Sequence, residues 1–435
     1  MKFQSPRGTQ DVLPVNTMKW QKLVDTTRSL LEFYSFKEII IPIFEHTELF
    51  QRSVGESTDI VNKEMYTFFD KSQRSLTLRP EATVGIMRAY IENGLHRMPK
   101  PVKLWTHGPM FRYERAQTGR YRQFHQIDAE ILGSSSVSPE IESIQLLHSL
   151  FTTLGINFKI EINSLGDEES RASFKQYFQK YSKGFLGDLC GDCKRRYEQN
   201  PLRMLDCKVQ ADQEIFAGAK KPADFLSEAS EKRWEEIKTI LGIYKEKSKR
   251  EITNLITNPG LVRGLDYYND FVFEIKSTSE KLKGQSTICA GGRYDRLVGS
   301  LGGPETPGFG WAIGIERVIA DLDYFWDTIS IMIIASDMDI YSIEHSIYEE
   351  AYNNKLKLNT ERGSYQSNIS KQIESAVKRN FDFILFYLDD EKKSNKFKFK
   401  NLKTNKQIEI DANMQSFFKN LKNEIEELTK LKKII

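Results

Sequence analysis

Four arginines, Arg112, Arg115, Arg120 and Arg122, fall within eleven residues of the stretch Gly108–Gly133. A guanidinium is planar, permanently charged and presents its donors as a fork that matches phosphate or carboxylate. The flanks read as strands, Lys103–Thr106 before the run and Phe124–Leu132 after it. Between them Arg115–Arg120 offers Gln, Thr and Gly and no apolar anchor, as the loop of a hairpin does. Alternation on the second strand puts Phe124, Gln126, Asp128 and Glu130 on one face and His125, Ile127, Ala129 and Ile131 on the other. One face is therefore packed and the other is polar. A polar sheet face beside guanidinium groups suits a ligand with phosphate at one end and an ammonium or imidazole at the other. An edge hairpin with solvated arginines is the plainer alternative. Inward acids and a basic loop on the same hairpin favour the phosphate site over it.

The elements that must hold this hairpin come from a chain of 435 residues, long enough for two or three domains. Hydrophobic residues make up 39% and charged residues 28%, the balance of a soluble globular protein. The formal net charge is only +3, so nucleic-acid binding has to rest on local patches. The start, MKFQSPRGTQ, has no apolar core of signal-peptide length, and no run reaches the apolar length of a membrane span. Four cysteines are too few for a disulfide framework, so a reducing cytoplasmic location without membrane contact is expected.

Ser5–Pro14 is a polar loop, followed by helical spacing over 16–34 (Trp20, Leu23, Val24, Thr27, Leu30, Leu31). Lys37–Glu45 is β-branched but carries Pro42, which implies an edge strand or a bulge. After a strand at Met65–Asp70, Pro80 begins a helix running through Thr83–Ile91, with Glu81 and Thr83 in its first turn. A glutamate is favoured there by the helix dipole whatever its function. A helix at Pro139–Leu154 and a strand at Phe158–Asn163 follow. From 168 to 250 charge density rises and strand patterns vanish, which reads as an inserted helical subdomain. It holds Cys190, Cys193 and Cys207; Cys-x-x-Cys is a zinc or redox spacing. No histidine lies between His148 and His345 and Cys289 is distant, so a fourth ligand is not evident and metal-free thiols, buried or partly exposed, are expected. Leu261–Asn269 forms a turn into the alternating strand Phe271–Ile275, and Ala290–Asp295 and Leu301–Pro304 are glycine-rich turns. Gly308–Arg317 reads as a strand feeding a helix, its glycines allowing close strand–helix packing and its arginine near the helix start. Beyond a junction at Phe325–Thr328, strands at Ile329–Ala335, 355–359 and 383–388 alternate with helices at 340–353 and 367–380, an α/β pattern that ends in a helix at 413–433. The lysine-rich run Lys392–Lys406 encloses Phe397 and Phe399. An alternating strand with lysines outside is favoured over an RNA-stacking surface.

The stretch Gly108–Gly133 closely resembles motif 2 of the class II aminoacyl-tRNA synthetases, in the form carried by histidyl-tRNA synthetases. The opening Arg7–Pro14 (RGTQDVLP), the helix and strand of motif 1, Leu78–Thr83 (LRPEAT), Asn200–Asp206 (NPLRMLD), Arg263–Asn269 (RGLDYYN) and a motif 3 at Gly308–Arg317 fit the same family in the same order. RGLDYYN is the most discriminating of these. The resemblance implies an α/β protein in three parts. These are an α+β catalytic domain on an antiparallel sheet (1–327), a helical insertion within it (168–250) that approaches the acceptor stem of tRNA, and an anticodon-binding α/β domain (328–435). It implies ATP-dependent activation of L-histidine and transfer to tRNA(His), with magnesium accompanying ATP, and no permanently bound cofactor or protein metal. Motif 1 implies a homodimer.

By the same resemblance Arg112 and Arg263 hold the α-phosphate region as catalytic cations, with Arg120 and Arg317 toward the outer phosphates. Glu114 meets the adenine amino group and Phe124 stacks on its ring. Glu81, Thr83 and Gln126 take the ammonium of histidine, Glu130 and Tyr268 its ring, and Tyr267, Tyr268 and Tyr294 wall the pocket. Arg115 and Gln117, in the motif 2 loop, face the extra 5′ nucleotide and discriminator base of tRNA. Ala116 stands where many relatives have proline, and the residues around Trp311 depart from the usual pattern. The alternative from another class is the non-enzymatic, synthetase-like regulatory subunit of ATP phosphoribosyltransferase, which typically has degraded ATP motifs and lacks the C-terminal domain.

Overall fold

The computed structural model describes residues 3–55, 58, 60–117, 119–247, 254–282, 284–323, 329–354, 356–364 and 367–432. The chain divides into two compact units, Met1–Tyr324 and Phe325–Ile435. The junction expected at Phe325–Thr328 lies outside the described residues.

The first unit begins with helix α1 (Pro14–Phe33), where Pro14 opens the helix and Leu23, Val24, Thr27 and Leu31 form its buried stripe. Pro42 divides the β-branched segment that follows. Its first piece, β1 (Lys37–Glu38), lies at the edge of a large sheet, and its second, β2 (Phe44–His46), belongs to a different, three-stranded sheet. Helix α2 (Thr47–Val54) and strands β3 (Tyr66–Phe69) and β4 (Ser75–Leu78) come next, then α3 (Thr83–Glu92). Strands β5 (Val102–Phe111) and β6 (Gln123–Leu132) form the arginine hairpin. Its loop is longer than expected: the strands end at Phe111 and Gln123, although the Arg112 amide still donates to the Arg122 carbonyl at 2.9 Å. Helix α4 (Ser138–Thr153) and strand β7 (Phe158–Ser164) lead into the insertion. That segment is helical, with α5 (Glu168–Lys183), α6 (Gly191–Gln199), a 3-10 turn (Pro201–Asp206), α7 (Gln210–Ala217) and α8 (Glu228–Lys247), and holds no strand among the described residues. The unit closes with β8 (Leu255–Thr257), β9 (Asn269–Ser277), β10 (Thr287–Arg293), α9 (Leu297–Ser300), β11 (Gly308–Gly314) and α10 (Ile315–Asp321).

The eight strands of the main sheet run β1-β5-β6-β11-β10-β9-β7-β8. The six inner strands are antiparallel and the two edge strands pair parallel. The two-sided character read from β6 is that of the whole sheet. Ile127, Ala129 and Ile131 join Phe271, Phe273, Phe309 and Ile313 in one core under α1, α4, α8 and α10. Phe271 and Phe273 are fully buried, each contributing about 1.5–3 kcal/mol. The opposite face carries a second cluster with Met110, Tyr268, Val272 and Tyr294, covered by α3 and α9, and leaves room for a ligand.

The second unit is a five-stranded sheet, β13-β12-β14-β15-β16, formed by β12 (Ile329–Ala335), β13 (Leu358–Arg362), β14 (Phe383–Tyr387), β15 (Lys396–Asn401) and β16 (Gln407–Asp411). β12 pairs parallel with β13 and β14, and the last three strands are antiparallel. Strand β13 begins later than the expected 355–359, because Leu356 turns into the core first. Helices α11 (Asp339–Asn353), α12 (Ile369–Lys378), α13 (Asp389–Ser394) and α14 (Met414–Lys432) complete the unit. Phe397 and Phe399 point inward, Phe399 stacking on Phe383 at 4.7 Å, so the lysine run is an alternating strand over Lys396–Asn401, while Lys392 and Lys393 lie in the preceding helix and Lys403 and Lys406 in the connection that follows.

Candidate active site

Arg79 fixes the entrance geometry. Its guanidinium is buried and donates to the carbonyls of Ile41 (3.0 Å) and Pro109 (2.9 Å), which ties the motif 1 segment to β5. Two residues on, Glu81 folds back on the start of α3. Its Oε2 accepts from the Thr83 amide at 2.9 Å and its Oε1 from the Val84 amide at 3.0 Å. The helix begins at Thr83 and not at Pro80, so Glu81 lies just before its first turn, where it meets two free amides as well as the favourable dipole. The same carboxyl is buried in a cavity of about 230 Å³ on the open face of the main sheet, and that burial pushes its pKa up.

Thr83, Gln126, Tyr267 and Tyr268 line this cavity with Glu81. Gln126 Oε1 is a buried acceptor with no hydrogen-bond partner among the described residues. The Tyr267 ring is tilted against Tyr268 at 4.7 Å and meets Tyr294 in a T-shaped contact at 5.7 Å. Burial pushes the Tyr268 hydroxyl up to about 12, so it stays a hydrogen-bond donor at neutral pH. Glu130 and Tyr294 are not in the cavity wall. They stand behind it, fully buried, with the Tyr294 hydroxyl donating to Glu130 Oε2. Burial raises the Glu130 carboxyl well above its ordinary range, and its Oε1 is buried with no hydrogen-bond partner among the described residues. The β11 glycines make space for this pair. A Cβ at Gly310 would overlap Glu130 Oε2, and one at Gly308 would overlap the Tyr294 ring. They serve a cross-strand approach, a different role from the strand–helix packing expected of them.

The same cavity wall carries four arginines. Arg112 donates from Nε to the Pro80 carbonyl (2.9 Å) and lies 5.1 Å over the Phe124 ring. Arg263 pairs with Glu274 at 2.5 Å and lies 5.9 Å over the Tyr268 ring. Arg317, in the first turn of α10, donates to the carbonyls of Gly119 (2.9 Å) and Thr287 (2.7 Å). Burial and then the nearby Arg120 lower its pKa. Arg120 itself is paired with Glu114 at 2.8 Å. Arg115 and Gln117 are exposed and stand outside the cavity wall, on the loop that the Gln117–Arg120 turn closes.

Three residues of the site carry roles the sequence reading did not assign. Asp128 lines the cavity, buried, with Oδ2 unpartnered; burial and then Glu81 raise it well above its ordinary range. Its place in the Phe124–Glu130 alternation was the available signal. Glu274 orients Arg263 and accepts from the Thr287 hydroxyl at 3.1 Å. It was visible as the one acid in an apolar strand. Glu316 takes the His125 amide at 3.0 Å and its Nδ1 at 2.9 Å, fixing α10, and so Arg317, to β6. Only the fold could show that contact, across 191 residues.

The thiols of the insertion are buried, with Cys190 partly exposed, as expected, but they have a fourth donor beside them. Cys190, Cys193 and Cys207 converge, and the fourth donor is a carboxylate, Asp212, with all four ligand atoms within 4.8 Å of one another. The spacing of histidines and cysteines alone does not reveal a carboxylate donor.

An antiparallel sheet whose open face carries the motif 2 hairpin, with arginines from that hairpin, from the RGLDYYN turn and from the helix after β11, defines the catalytic core of a class II aminoacyl-tRNA synthetase. Comparison with known proteins narrows this. The family profile described as Histidyl-tRNA synthetase matches residues 8–318. A protein from Geobacillus sp. (strain WCH70) named Histidine--tRNA ligase is 41% identical over 422 residues, 94% of this chain and 97% of that one. One of the same name from Bacillus subtilis (strain 168) is 41% identical, covering 94% and 96%. The crystal structure of apo S. aureus histidyl-tRNA synthetase superposes with a TM-score of 0.74 at 32% identity, covering 96% of this chain and 99% of that one. The chain belongs to the histidyl-tRNA synthetase family.

Proposed function

We propose that this site performs the family's two-step ligation. The carboxylate of L-histidine attacks the α-phosphorus of ATP and pyrophosphate leaves. The terminal ribose hydroxyl of tRNA(His) then attacks the activated carbonyl, and AMP leaves. Such chemistry needs positioning and neutralisation of charge more than proton transfer. The observation that carries the reading is the make-up of one cavity. Arg112, Arg120, Arg263 and Arg317 line it together with Glu81, Gln126, Tyr267 and Tyr268. Arg112 and Arg263 serve the α-phosphate, and Arg120 and Arg317 the leaving pyrophosphate, which carries in its own magnesium. The outer phosphates compete with Glu114 for Arg120, freeing Glu114 toward the adenine amino group while Phe124 supports the ring. Glu81 and Gln126 take the ammonium. Tyr268 holds the imidazole with the Glu130–Tyr294 pair positioned behind the wall, and a site that pairs ring nitrogens rejects analogues lacking them.

The four arginines also favour an enzyme over a regulatory paralogue with degraded ATP motifs, as do the matches to ligases along nearly the whole chain. Arg115 and Gln117, exposed at the cavity rim, are suited to the tRNA end, and the second unit to the anticodon. Homodimerisation is supported by exposed apolar side chains on and beside motif 1: Ile40 (89% exposed), Phe44 (52%) and Phe69 (66%). The described residues contain no helix long and apolar enough to cross a membrane, which fits the proposed cytoplasmic location.

Arg263→Ala tests the catalytic assignment. It is expected to lower histidine-dependent ATP–pyrophosphate exchange by about 10²–10³-fold with the melting transition little changed. Near-normal exchange in this variant would refute the assignment.

A further inference from the structure

We propose that Cys190, Cys193, Cys207 and Asp212 form a structural zinc site that fastens the helical insertion. The four donors come from three short elements. Cys190 caps α6, Cys193 lies in its first turn, Cys207 ends the 3-10 turn, and Asp212 lies in α7. The sulfurs of Cys190 and Cys207 are 3.8 Å apart. Tetrahedral zinc with bonds of about 2.3 Å separates two sulfurs by about 3.8 Å, whereas a disulfide needs about 2.05 Å. Cys207 Sγ lies 3.3 Å from Asp212 Oδ2, close to the spacing of a thiolate and a carboxylate oxygen on one such ion. A disulfide between Cys190 and Cys207 would use two of the four groups and leave Cys193 and Asp212 unexplained.

The surroundings are those of a ligand shell. Backbone amides donate to two sulfurs, Cys193 to Cys190 Sγ and Val209 to Cys207 Sγ, both at 3.4 Å, as they do to metal-bound thiolates. The Asp212 carboxylate is 1% exposed and is held by the Cys190 amide at 3.1 Å amid the thiols. An acid buried among thiols calls for a cation. Zinc binding would displace the thiol protons and pair all four donors at once. The local core is small: Phe174, Phe178, Leu189, Met204 and Phe216 with two of the cysteines. Short helices around so few apolar side chains commonly need a staple.

The fastening reaches the active site. Between Cys193 and Cys207 the chain lays Leu202 and Leu205 against both the insertion core and the open-face core. Asn200 donates to Asp266 in the RGLDYYN turn at 2.7 Å. The site therefore holds the support on which Arg263 and Tyr267 rest.

The test is metal analysis of the full-length protein, expressed without a metal-binding tag. One zinc per chain is expected, released by mercurial titration of the thiols. Cys207→Ser is expected to lose the metal and Asp212→Asn to weaken it by about tenfold or more, while Cys289→Ser keeps it. Because a variant can fail to fold, wild-type protein stripped by chelator is also titrated with cobalt(II). A thiolate-to-cobalt charge-transfer band with tetrahedral d–d bands, saturating at one equivalent, supports the site. Wild-type protein that takes up neither zinc nor cobalt stoichiometrically overturns it, as does a thiol count showing two cysteines joined.

Discussion

Tyr294 and Glu130 show what a single hydrogen bond does in this protein. The pair lies behind the cavity wall, with Thr83 against the same carboxyl, and fixes the floor on which the imidazole would rest. Removing the donor leaves a fully buried carboxyl with one partner fewer, a cost of about 1–3 kcal/mol. Tyr294→Phe is therefore expected to raise the KM for histidine about tenfold while kcat for exchange changes little; an unchanged KM in steady-state exchange would count against this role. At this scale the sequence was most legible for arginines and aromatics, whose types announce phosphate and ring binding. It was least legible for residues that act through another. The space at Gly310 has meaning only once β11 lies beside β6, which brings Gly310 opposite Glu130.

Strands β7 and β9 carry a charge ladder that ends at the active site. Lys159 and Lys276 both pair with Glu161, Lys276 approaches Glu274, and Glu274 holds Arg263. Burial pushes the Glu161 carboxyl up, but hydrogen bonds from Lys159, Lys276 and Asn258 outweigh it and hold the pKa at about 2, below the ordinary 4.5. A folded pKa below the unfolded one means stability fully present above pH 4.5 and lost as pH falls toward about 2. Allowing for screening at the exposed Lys159, the contribution is about 2 kcal/mol. Urea titrations across that window should show a steeper acid loss for wild type than for Glu161→Gln; parallel curves would remove the ladder from the account. The strands themselves were readable from alternation, since each has one packed face. Pairing was not: β7 meets β9 across an insertion of more than 80 residues, and no local pattern encodes that register. The segment at Pro42 was read as an edge strand or a bulge; its first piece is an edge strand, but the structure divides the segment between two sheets, because a residue without an amide hydrogen cannot continue either ladder.

On the scale of the molecule, the chain joins two units with different sheets, and the first contains every residue of the cavity. The α/β pattern of the second unit was plain in the sequence because buried strands such as Ile331–Ala335 are continuously apolar. The helical insertion was plain from the disappearance of strand patterns. The convergence of its thiols with Asp212 was hidden, because Asp212 is one acid among many until the fold brings it to them. The central claim is that the first unit's cavity activates one amino acid, and amino-acid-dependent ATP–pyrophosphate exchange tests it most directly, with each amino acid supplied separately. Exchange with histidine alone is the predicted result. Exchange with a different amino acid, or none with any amino acid in a folded protein that still binds histidine, would contradict the account, and the second outcome would return the chain to the regulatory reading.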